Sequence, residues 1–156
     1  MFINITGGAK YQQDYARSVI EFCVGKLMPR MTNLEINLHI KDLGKSDALG
    51  YAIPSDEADS ARPREFDIEL HKHQKLRDFL TTLAHEMVHV KQFARGELYE
   101  STRLGRHRWQ GEWLKNEPDY WDQPWEIEAH GRETGLFVRW AEAQGLGKKS
   151  WTKYSK

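Results

Sequence analysis

Residues 74–94, QKLRDFLTTLAHEMVHVKQFA, constrain the fold of this chain more than any other stretch. At about 100° of rotation per residue, Leu76, Phe79, Leu80, Leu83, Met87, Val90 and Ala94 fall on one stripe of a helix, and Gly96 marks its stop. Such a stripe has to dock against other apolar surface. His85 and His89 point to nearly the opposite side, one turn apart, with Glu86 about 100° round from His85. Ala84, Val88 and Phe93 flank these imidazoles with apolar groups, so their face is not an ordinary solvent face. A second element is expected to cover it.

The rest of the chain reads as an α+β domain spanning 1–156, with one helix, then strands, then helices. Residues 9–27 place Tyr15, Val19, Phe22, Cys23 and Leu27 at helical spacing, and Pro29 closes the segment. LEINLHIKDL (34–43) alternates Leu34, Ile36, Leu38 and Ile40, the period of a half-buried strand, which puts His39 on the polar side. GYAIP and REFDIEL (64–70) are two more short strands, and the sheet is expected to be small and mostly antiparallel. Residues 97–124 read as irregular, and their Trp-rich part as a cover over the core or a pocket lining. A last helix is predicted from Pro124 to near Gly145, followed by a flexible basic tail over 147–156. Cys23 is the single cysteine, which excludes a disulfide framework and assigns it to the core.

The spacing of His85 and His89 is what a metal site needs. Two imidazole nitrogens one turn apart reach a Zn²⁺ at about 2.0–2.1 Å, and the neighbouring carboxylate of Glu86 is left to take a proton from bound water. A catalytic zinc has three protein ligands and one open position. In DQPWEIEAHGRE the residues Glu126, His130 and Glu133 share the side of Ala129, Leu136, Phe137 and Trp140. Glu128 and Arg132 fall on the other side as an i,i+4 pair, so Glu128 is expected to face solvent. Glu126 is the expected third ligand with His130 supporting it. His130 as ligand is the alternative, and a helix-start role competes for Glu126. His107, Tyr120 and Arg132 are candidates to stabilise an oxyanion. His71 and His73 form an HxH pair that a polar strand-to-helix junction explains as well as chelation does.

HEMVH followed by PWEIEAH resembles the zincin metallopeptidases, and within them the gluzincin branch, whose downstream ExxA supplies the third ligand. The order of elements is also similar to minimal gluzincins and to SprT-like and ImmA-like domains of phages and bacteria, some of which use a third histidine. The resemblance implies a zincin-like fold, a Zn²⁺ cofactor, ligands His85, His89 and Glu126, Glu86 as general base, and a peptide or protein substrate lying along REFDIEL as an added strand. His130 stands where that motif usually has Asp or Asn. A non-catalytic zinc-containing domain and a SprT-like nucleic-acid-associated protease are the alternatives. With 23 basic and 23 acidic residues the net charge is zero, which favours neither nucleic acid nor an anionic membrane. No apolar run reaches the length of a membrane span, and MFINITGGAKYQQ lacks the order of a signal peptide, so an intracellular, cytoplasmic location is expected (the host cytoplasm if a phage encodes the chain).

Overall fold

FINITG at the start of the chain alternates exposed Phe2 and Asn4 with Ile3 and Ile5, which pack on the core, and it forms strand β1 (Phe2–Gly7). The computed structural model describes residues 1–45, 48–55 and 61–153. β1 leads into helix α1 (Lys10–Leu27), which returns the chain to strand β2 (Glu35–Lys41). Because a helical crossover separates them, β1 and β2 pair in parallel, Ile3 beside Ile36 and Ile5 beside Leu38. β3 (Gly50–Pro54) and β4 (Glu65–His71) complete a four-stranded sheet in the order β1-β2-β4-β3, with β4 parallel to β2 and β3 antiparallel to β4.

The sheet is therefore mixed rather than mostly antiparallel. Clean alternation in the sequence reports that one face is covered, which is usual for antiparallel sheets, but it says nothing of strand direction. Here Ile36, Leu38, Ile40, Phe66, Ile68 and Leu70 face the helices, while Asn37, His39, Asp67 and Glu69 face outward. His39 lies on that polar face and meets Thr6 Oγ1 at 3.0 Å through Nδ1. The strand order also makes β3 the edge beside β4, with β1 the opposite edge, so REFDIEL is interior and GYAIP is an edge strand.

Helix α2 (Leu76–Ala94) packs on this sheet, on α1 and on α3 (Pro124–Ala143). Phe79, Leu80, Leu83, Met87, Val90 and Ala94 are buried as the stripe requires, and every residue from Leu83 to Ala94 is buried. Full burial of a Leu, Val or Phe side chain contributes roughly 1.5–3 kcal/mol, which is what seats the helix. α2 ends where expected: Gly96 has φ +72°, and Glu97 N–H donates to the Gln92 carbonyl at 2.9 Å while Gly96 N–H donates to that of Phe93 at 3.0 Å. This doubly bonded C-terminal turn needs a left-handed residue at Gly96. Gly50 serves a different need. A Cβ there would lie 2.8 Å from Leu70 Cδ2 and 2.9 Å from the Glu69 carbonyl, so glycine lets β3 lie close against β4.

Residues 97–124 are more ordered than their composition suggests. Strands β5 (Leu98–Ser101), β6 (Arg106–Trp109) and β7 (Glu112–Trp113) form a three-stranded antiparallel sheet. Gln110 and Gly111, both at positive φ (52° and 83°), make the two-residue turn between β6 and β7. Strands of two and four residues are too short to show a period. The tail is also held: Trp151 packs its ring 5.4 Å from Tyr15 and 6.5 Å from Trp140, and Arg77 Nε donates to the Thr152 carbonyl at 3.1 Å. Residues 154–156 of the predicted tail, like 56–60 of the loop between the second and third predicted strands, lie outside the described residues.

Three α-helices, one mixed and one antiparallel sheet make an α+β architecture among the described residues, and no helix among them is long and apolar enough to cross a membrane. Cys23 is fully buried in α1, and burial pushes its thiol up to about 12. The native protein is therefore expected to leave Cys23 unlabelled by a thiol reagent at mildly alkaline pH and to react stoichiometrically in denaturant. Rapid labelling of the native form would contradict this packing.

Candidate metal centre

The element that covers the imidazole face of α2 is α3, which starts at Pro124 with the proline in the first helical turn, where its missing N–H costs nothing. Glu126 follows within that turn and is 9 % exposed. Its carboxylate reaches both histidines of α2: Oε1 lies 3.0 Å from His85 Nε2, and Oε2 lies 3.1 Å from His89 Nε2. The two rings stand edge to face with centroids 4.9 Å apart. One ligand atom from each of His85, His89 and Glu126 lies within 4.8 Å of the others, a buried group that can hold a metal ion. Two imidazole nitrogens and one carboxylate from two helices are a donor set suited to a borderline divalent cation.

His130 does not join Glu126 and His89. Its Nδ1–H donates to Glu133 Oε1 at 2.7 Å, its Nε2 lies 3.0 Å from the Tyr120 hydroxyl, and its ring packs 4.5 Å from that of His85. With His85 and Glu133 it forms a second, less buried group whose ligand atoms also cluster within 4.8 Å. His85 belongs to both groups, with Nε2 toward Glu126 and Nδ1 3.7 Å from Glu133 Oε1. When a histidine binds a cation through one nitrogen, a carboxylate facing the other fixes the ring and raises its basicity. Glu133 is placed to do this for His85, and His130 supports Glu133 rather than Glu126.

Sequence reasoning misplaced Glu128 and missed Gln92. Glu128 does not face solvent: Oε2 accepts from Lys91 Nζ at 2.7 Å and from Arg132 Nε at 3.1 Å, and Oε1 accepts from Gln92 Nε2 at 2.9 Å. The i,i+4 pair with Arg132 is present, but α2 presents a buried lysine and a buried carboxamide to the same carboxylate. Gln92 in turn accepts from His89 Nδ1–H at 2.8 Å. The signal that could have found Gln92 is its position three residues after His89, on the same side of the helix. Asp42, beside His71 and His73, is 3.9 Å from the first and 3.7 Å from the second, and His71 Nδ1 already accepts from Leu43 N–H at 3.0 Å, so this pair serves the junction.

Electrostatics follow from the geometry. Burial alone would lower the His85 pKa, but the Glu126 and Glu133 carboxylates outweigh it and raise the imidazole to about 10. His89 is shifted upward in the same way, with Glu126 as the main partner set against burial, and Glu126 is held below the usual carboxylate range by both imidazoles despite burial. Burial pushes Glu86 upward, opposed by His89 and His85. Burial and the Glu126 carboxylate push Tyr120 above its ordinary value, so its hydroxyl stays a donor, 3.0 Å from Glu126 Oε1.

A cation that binds this cluster must displace the imidazole protons. Binding is therefore expected to weaken as pH falls below about 10, by about tenfold per pH unit for each proton displaced. Titration of the metal-free protein with zinc at several pH values, following proton release, checks this. Affinity independent of pH would contradict the imidazole–carboxylate pairing.

The cluster lies in a cleft of about 730 Å³, within the range of ligand sites. His85, Glu86 and His89 line it from α2, Leu49, Gly50 and Tyr51 from the edge strand and the residue before it, and Tyr120, Trp121 and Trp125 from the opposite segment of sequence. The Trp-rich segment thus does both things expected of it: Trp125 is buried and Trp121 is 71 % exposed, and both line the cleft. Of the other oxyanion candidates, Arg132 is tied to Glu128, and His107 stacks on Trp125 at 4.8 Å while its Nδ1 meets Glu117 at 3.0 Å. Compared with known proteins, the chain matches no family model, no curated protein and no solved structure.

Proposed function

We propose that this chain is a zinc-dependent peptidase of zincin type, and the observation that carries this reading is the meeting of His85, His89 and Glu126 on the wall of an open cleft that Glu86 also lines. A structural metal site would be closed by a fourth protein ligand, whereas three ligands facing a cleft leave a position for water and substrate. Zinc bound there would lower the pKa of a water toward about 7 and polarise the scissile carbonyl. His85 and His89 would hold the cation through Nε2, and Glu126 would complete the set from α3.

Glu86 is the general base. Its carboxyl is buried beside the imidazoles and shifted upward, which brings it nearer to neutrality and suits it both to take a proton from the attacking water and to pass it to the leaving amine. Tyr120 is the neutral donor at the cluster: its single hydroxyl hydrogen goes to Glu126, and turning it to a developing oxyanion would release that bond. An extended peptide would add to the edge strand β3, whose residues Gly50, Tyr51 and Ala52 line the cleft. Tyr51, Trp121 and Trp125 favour apolar side chains on that peptide.

A mixture of unstructured peptides incubated with the zinc-loaded protein tests this reading. Cleavage that a chelator stops and zinc restores is the expected result. No cleavage of any peptide by protein that has bound zinc would overturn it.

A further inference from the structure

Gln92 Nε2 has two acceptors, the Trp125 carbonyl at 2.9 Å and Glu128 Oε1 at 2.9 Å. Neither carries a hydrogen to give back, so both carboxamide hydrogens are claimed, and turning the amide over would set its oxygen against two acceptors. Gln92 Oε1 is therefore the atom 2.8 Å from His89 Nδ1, and it can only accept. His89 must then carry a proton on Nδ1, which makes Nε2, 3.1 Å from Glu126 Oε2, the nitrogen that is free to bind a cation once its own proton is displaced. Glu128 is itself fixed, since Lys91 and Arg132 hold its other oxygen at 2.7 and 3.1 Å. Gln92 is fully buried, so water does not compete for its bonds to His89 and to the Trp125 carbonyl, and Lys91 is 7 % exposed.

We propose that Glu128, acting through the Gln92 carboxamide, is a positioning residue that sets the His89 tautomer and thereby the affinity of the centre for a divalent cation. This rests on His89 and Glu126 being cation ligands. α3 then supplies two different things two residues apart: Glu126 to the cation, and Glu128 to the orientation of the histidine opposite. Loss of such a partner typically weakens metal binding about 10–100-fold.

The test compares zinc affinity, by competition with a chromophoric chelator, in the wild type, Glu128→Gln, Gln92→Met, the double variant, and Glu97→Gln. Glu97 is the other carboxylate on Lys91, at 2.8 Å, and its side-chain substitution loosens the same buried lysine without touching the Gln92 carboxamide. Each of the first two single variants is expected to bind zinc about 10–100-fold more weakly. The double variant should bind zinc no more weakly than Gln92→Met alone, because Glu128 acts only through that carboxamide, and Glu97→Gln should bind zinc as the wild type does. In the zinc-loaded protein the His89 Nδ1 proton, followed by ¹H–¹⁵N NMR, should exchange slowly in the wild type and Glu97→Gln and quickly in Glu128→Gln. Equal weakening by Glu128→Gln and Glu97→Gln, losses that add in the double variant, or unchanged binding in Glu128→Gln would overturn the proposal while leaving the metal centre intact. A wild type that takes up no zinc would overturn the metal centre itself, and the proposal with it.

Discussion

Glu86→Gln should bind zinc as the wild type does and hydrolyse peptides about 10²–10⁴-fold more slowly, a loss expressed in kcat. The expectation follows from where the carboxyl sits. Glu86 lies one residue beyond His85 on α2 and is 5 % exposed, yet the atoms that cluster for a cation come from His85, His89 and Glu126. The amide keeps the volume of the side chain, so the packing of α2 is undisturbed, but it cannot accept the proton of an attacking water. Parallel measurement of zinc content and turnover separates the two roles. Loss of zinc together with activity would make Glu86 a ligand, and retention of activity would remove it from the chemistry.

Glu126→Ala should lose zinc binding by more than about 100-fold, beyond the range typical of residues that only support a ligand. The same substitution tests the cluster in the metal-free protein, and here the sign matters. Glu126 is shifted down from 4.5, so its contribution to stability is present above that value and lost as pH falls. His85 is shifted up from 6.5 to about 10, so its contribution is complete below 6.5 and lost as pH rises through about 10. The destabilisation caused by Glu126→Ala in the absence of metal should therefore be largest between pH 4.5 and 6.5 and fade toward pH 10. Thermal melts of both proteins across that range measure it. A destabilisation that grows with pH would contradict the pairing.

Helix α2 was legible because its pattern is long: nineteen residues give a 3.6-residue period room to appear, and the expected stop at Gly96 is the observed one. The direction of Glu126 was legible for the same reason. Its phase relative to Ala129, Phe137 and Trp140 turned it inward, and it meets both imidazoles. Phase misled at Glu128. That residue points away from the apolar stripe of α3, as expected, but Lys91 and Gln92 reach it from the neighbouring helix, and a polar contact between two packed helices leaves no period in either. Strand direction was illegible in a similar way. The alternation in β2 and β4 revealed the covered face, whereas their parallel pairing comes from β3, which lies between them in the chain but at the edge beyond β4 in the sheet. The short strands β5 to β7 carried too few residues for any pattern, although the Gln110–Gly111 turn was a usable mark.

The central claim is that one cation is shared by α2 and α3, and zinc-edge anomalous diffraction from crystals of the zinc-loaded protein tests it most directly. The expected result is one strong peak about 2.0–2.2 Å from His85 Nε2, His89 Nε2 and a Glu126 oxygen. A peak bound instead by His85, His130 and Glu133, or no ordered peak at stoichiometric zinc, would contradict it.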